Sequence, residues 1–242
     1  MEEAWEILDY LPLSYRIPAE QEYIHFLWES FQSNYDNGKY QFSFLAYHML
    51  YMSFVYFIVW QIKNNYTEDF QKAMVGFNKD VEKQLLGSTS PFTFSEVNES
   101  NIFRFLKLID CQNDKIGHYT QMVKKRNETA HANGNIFFKN KESIHEYISE
   151  ILRLVSEIQD HSHKIVSECF ESFLLESYDE NTRELSDVKD QIREVLIHKN
   201  YLSKKDIELC LQYDVSKHQS HPDYTEIKSL FEVFEAEYKQ DE

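Results

Sequence analysis

Between Lys39 and Lys63 the chain carries no charged residue. As a helix, residues 40 to 62 would be long enough to span a bilayer. The same run holds Gln41, Ser43, His48, Ser53, Gln61 and several tyrosines, and the chain has no second run like it. Polar groups spread round a helix need partners that lipid does not offer. The stretch therefore predicts the central helix of a bundle, apolar nearly all round, with a membrane span as the rival reading.

The remaining sequence points the same way. Five Gly and four Pro in 242 residues are too few for a fold made of many tight β-turns. Eighteen Phe and sixteen Tyr predict an aromatic-rich core. Residues up to 18 read as a short helix or an extended lead-in. Residues 19 to 33 place Tyr23, Ile24, Leu27, Trp28 and Phe31 at helical spacing, and residues 34 to 38 form a turn cluster. One helix is expected over 68 to 86 and a short one over 100 to 111. Another starts at Asn113 as N-cap and stops at Asn133-Gly134. The longest helix opens at Glu142 or Ser143 and carries apolar residues in heptad-like steps from Ile144 to Cys169, with a break allowed near residues 160 to 163. Three shorter helices are expected over 181 to 198, 203 to 213 and 224 to 239. The expected architecture is an all-α helical bundle over residues 1 to 178, followed by a helical C-terminal extension over 179 to 242.

Charge and cysteine usage narrow the function. A formal charge of −16 excludes a protein that coats nucleic acid with a basic surface, and DNA reading is not expected. A small basic patch for a structured RNA remains compatible. Cys111, Cys169 and Cys210 have neither disulfide nor zinc spacing. With an N-terminus that lacks a basic, then apolar leader, they point to a reducing cytoplasm. The pairs His161/His163 and His218/His221 lack a third ligand at a telling spacing.

One constellation can carry chemistry. Arg126, Asn127 and His131 fall within two turns near the end of a predicted helix, preceded by Lys124 and Lys125. Four residues apart, Asn127 and His131 share a face of an ideal helix, while Arg126 lies about 140° from His131. A neutral imidazole can take the proton of a ribose 2′-hydroxyl. The freed oxygen then attacks the adjacent phosphorus, and a guanidinium stabilises the charge on the non-bridging oxygens. A carboxamide can hold a phosphate oxygen or orient the ring. The products are a 2′,3′-cyclic phosphate and a 5′-hydroxyl, with no metal or other cofactor required. The leaving oxygen needs a second proton source, which a two-fold dimer would supply. The same residues also suit an ordinary helix end, with Arg126 solvated and Asn127 in a polar contact.

At Arg126-Asn127-x-x-x-His131 the chain resembles the HEPN family (higher eukaryotes and prokaryotes nucleotide-binding domain), over about residues 19 to 176. Many members carry Arg, a polar residue that is often Asn, variable positions, then His, late in a helix that precedes a long helix. The resemblance implies an all-α bundle, metal-independent endoribonuclease activity and homodimerisation. It also implies a role as a toxin or antiviral effector, with an antitoxin or nucleotidyltransferase as partner. Arg126, Asn127 and His131 would be catalytic, and Lys124 and Lys125 would guide RNA. The alternative is a non-catalytic dimeric module of the same fold that binds a nucleotide or a partner protein.

Overall fold

The computed structural model describes residues 2–239, and among them no strand forms. A short helix α1 (Glu2–Trp5) runs into a 3-10 segment (Glu6–Tyr10). Helix α2 (Pro18–Asp36) starts with proline in its first turn, where no intrahelical donor is lost. It stops at Asn37-Gly38, where Gly38 takes φ +67°. The chain then reverses into α3 (Tyr40–Asn65), which packs along α2. The Ser43 hydroxyl donates to the Phe31 carbonyl across that pair at 2.9 Å.

Helix α3 is the axis of the molecule, as the uncharged run predicts. By length and composition it could cross a membrane, yet 83% of its most apolar window is buried inside the bundle. Several of its polar residues have protein partners. Gln61 donates to Asp206, Trp60 to the Lys199 carbonyl, and Tyr47 to the Ala4 carbonyl. An apolar helix that is buried along most of its length and bonded through several polar side chains to neighbouring segments fits a protein core.

Where one helix was expected over 68 to 86 there are two, α4 (Thr67–Ala73) and α5 (Lys79–Leu86). Gly76 at φ +94° breaks the run, and the Asn78 side chain caps the second helix by accepting from the Asp80 amide. After a 3-10 segment (Pro91–Glu96), the short helix α6 (Glu99–Ile102) continues as 3-10 (Phe103–Ile109).

Helix α7 (Asn113–Ala130) carries the motif. Gln112 occupies the cap position, and Asn113 is its first helical residue. Helix α8 (Lys141–Ser177) is the longest and packs on α3. Asn140 caps it, so it opens at Lys141, one or two residues earlier than expected, and it runs unbroken through residues 160 to 163.

The C-terminal segment turns later than expected. Helix α9 (Val188–Gln191) leads into a π-helical turn (Ile192–His198), followed by α10 (Lys204–Cys210) and α11 (Tyr224–Tyr238). This segment is bound to the bundle at several points. The Leu13 amide donates to the Leu202 carbonyl at 3.0 Å, and Phe231 and Phe234 meet Phe170 of α8. Asp206 is fully buried and accepts from Gln61 of α3, Gln159 of α8 and Ser203.

Candidate functional site

The motif helix ends at Ala130, and His131 is the first residue beyond it, with φ −78° and ψ 144°. His131 therefore does not share a helical face with Asn127 as a residue inside the helix, contrary to the expectation from spacing, although the departure is small. The His131 amide still donates to the Asn127 carbonyl at 3.1 Å, so its Cα and Cβ remain on the last turn. The extended ψ redirects only the chain from Ala132 onward. His131 is exposed, and Asn127 is half-buried one turn back.

Arg126 lies on a different side. Its guanidinium forms an ion pair with Glu99 of α6, and 28% of its side chain stays exposed. The other Glu99 oxygen lies 3.4 Å from Nε2 of His48, a fully buried residue of α3. Arg126 is thus anchored, where an ordinary helix end would leave it solvated.

The electrostatics reflect this arrangement. Burial alone would raise the Glu99 carboxyl, but hydrogen bonds from His48 and Arg126, with their charges, hold it at about 2. Burial pushes the His48 imidazole below the ordinary histidine value, outweighing its contact with Glu99. A neutral His48 leaves Arg126 as the lasting counter-charge. The geometry fits the tautomer that donates from Nε2 to Glu99, with Nδ1 left without a partner in the core.

Three further contacts shape the end of α7, where helical carbonyls lose their intrahelical donors. The Gln41 amide donates to the Thr129 carbonyl at 3.0 Å, and its oxygen accepts from the Phe137 amide at 3.1 Å. The Asn133 amide donates to the Glu128 carbonyl at 2.8 Å. Asn133-Gly134 was expected to cap the helix directly. It lies just past the cap and satisfies a carbonyl through a side chain, while Gly134 takes φ +78°. Gln41 thus joins the end of the motif helix to the loop beyond it.

The two lysines separate. Lys124 is exposed. Lys125 is half-buried, with its ammonium 5.2 Å from the Phe137 ring centre and 5.1 Å from that of Tyr147. Phe42 and Met49, seven residues apart on α3, are 60% and 42% exposed, and Ile136 in the loop is exposed as well. Gln41 and His48, their chain neighbours, both reach the motif region.

Sequence reasoning missed Glu99, His48 and Gln41 as parts of this site. His48 left a signal, because a histidine in an uncharged apolar run requires a partner. Glu99 left none, since it arrives from a segment 27 residues before Arg126 in the chain. Comparison with protein-family models, curated proteins and solved structures found no match.

Proposed function

We propose that this chain is a HEPN-like endoribonuclease that cleaves RNA by 2′-hydroxyl attack, leaving a 2′,3′-cyclic phosphate. His131 acts as general base, or as general acid from the partner of a homodimer. Arg126 stabilises the charge on the phosphorane, and Asn127 orients phosphate or imidazole. Lys124 serves as the RNA-guiding cation, and Lys125 has a smaller part because two rings hold it. The biological role would be that of a cytoplasmic toxin or antiviral effector restrained by an antitoxin or nucleotidyltransferase partner.

The observation that carries this reading is that Arg126, anchored by Glu99, and an exposed His131 both fall in the last two turns of one helix end. The ion pair with Glu99 fixes the guanidinium while leaving further N–H donors for a phosphate. Preset donors cost no reorganisation when charge develops. The exposed Phe42 and Ile136, next to the bonded Gln41 and Phe137, offer apolar area beside the motif for a second subunit.

The deciding experiment incubates the full chain with end-labelled RNA, with and without EDTA, and identifies the new ends. Cleavage to a 2′,3′-cyclic phosphate in EDTA, lost by about 10²-fold or more in His131→Ala and in Arg126→Ala, is expected. Full activity in either variant refutes the assignment. The ion pair also favours a second reading. Glu99 neutralises Arg126, which suits a non-catalytic module that binds a nucleotide or a protein. Intact RNA together with nucleotide binding would establish that reading instead.

A further inference from the structure

A cavity of 570 Å³ opens between α2, α3 and the 3-10 segment Pro91–Glu96, with Glu99 among its lining residues. That size suits a small organic ligand. Its walls are the rings of Tyr23, Tyr56 and Phe92 together with Met52, and Met49 stands exposed at its rim. Tyr23 and Phe92 meet edge to face at 5.2 Å between ring centres.

Glu20 lines the same cavity and is only 4% exposed. Its carboxylate accepts from the Ser90 hydroxyl at 2.5 Å and the Tyr201 hydroxyl at 2.6 Å. No cationic side chain pairs with it among the described residues. Arg16, four residues earlier, stands over the Trp60 ring instead, at 6.0 Å. The cavity's other acid, Glu99, has Arg126 as its counter-charge. The cavity is left with one carboxylate that no side-chain cation neutralises, and the first turn of α2 offers it only partial positive charge. Such a group is costly to bury, and two hydroxyl donors use only half of its acceptor capacity.

We propose that this cavity binds a small organic cation with an apolar body, an amine or quaternary ammonium compound whose charge meets Glu20. The body lies against Tyr23, Tyr56, Phe92 and Met52. Aromatic faces attract such cations, and a carboxylate beneath them supplies the missing counter-charge. This inference does not depend on the nuclease reading, because it uses neither His131 nor RNA.

Calorimetric titration of the full chain tests it, with 2-phenylethylamine and benzyltrimethylammonium as probes and 2-phenylethanol and 3-phenylpropionate as controls. Both cations are expected to bind at least about tenfold more tightly than the neutral and anionic controls. Glu20→Gln keeps a hydrogen-bonding group but removes the charge, and it is expected to abolish that preference. Met49→Trp, at the exposed rim, narrows the entrance and is expected to weaken all binding without touching Glu20. It decides the matter if Glu20→Gln fails to fold. Absence of cation binding up to about 10 mM, equal affinity for the amine and the alcohol, or cation binding unchanged by the folded variants overturns the proposal.

Discussion

The Glu99 carboxylate holds the Arg126 guanidinium on one oxygen and faces His48 Nε2 on the other. One acid therefore joins the motif helix to the buried axis of the bundle. Partly buried ion pairs of this kind couple measurably, unlike most exposed ones. Glu99→Ala should destabilise the fold by about 1–3 kcal/mol, because two donors lose their acceptor. In a double-mutant cycle with Arg126→Ala, urea unfolding should give a coupling energy of about 1 kcal/mol. Additive effects would mean that the pair does not form in solution.

The same contacts set an acid limit on stability. The His48 imidazole is held below its ordinary 6.5, and Glu99 falls from 4.5 to about 2. In both cases the unfolded chain takes up a proton before the folded chain does. Their stabilisation is present above the unfolded values and is lost as pH falls, from 6.5 downward for His48 and from 4.5 toward 2 for Glu99. Urea midpoints should decline over that range. His48→Phe should flatten the decline that starts near 6.5 and leave the part below 4.5. An unchanged profile in that variant would mean that His48 does not set this acid limit.

Gln41 offers a test of how the motif end is held. It satisfies the Thr129 carbonyl and the Phe137 amide together. Gln41→Ala should cost about 1–2 kcal/mol and speed amide hydrogen exchange over residues 131 to 137, while α8 keeps its protection. Unaltered exchange in that loop would show that other contacts hold it.

The core of this fold was legible because its signal is local. The uncharged run from 40 to 62 and the spacing of Ile144, Ile148, Ile151 and Val155 reflect helical periodicity alone. The break at Gly76 was less legible, since apolar spacing continues across it and only the backbone angle stops the helix. At the site, the sequence marks Arg126, Asn127 and His131 by their spacing. It does not mark Glu99, Gln41 or His48 as their neighbours, because those contacts join segments 27 to 96 residues apart, as from Arg126 to Glu99 and from Phe137 to Gln41. Helix pattern fixes which face turns inward, and the partner met there depends on packing.

Asp206 is a buried acid whose negative charge should be dispensable to the fold. Burial raises its carboxyl above the ordinary 3.8, despite hydrogen bonds from Ser203, Gln159 and Gln61. With a raised folded value, it contributes stability at acid pH and withdraws it as pH rises through that value. It also closes a capping box with Ser203 at the start of α10. The Oε1 atoms of Gln61 and Gln159 both lack partners. In Asp206→Asn the new amide can donate to a flipped Gln159, while its oxygen keeps the Ser203 contacts. The desolvation cost of the charge then disappears, so this variant should lie within about 1 kcal/mol of wild type near neutral pH. Asp206→Ala loses the cap and leaves two buried amides unmatched, and should cost about 3 kcal/mol or more. Thermal and urea unfolding of both variants distinguish these outcomes. Equal losses in the two would mean that the negative charge itself holds the C-terminal segment to the bundle.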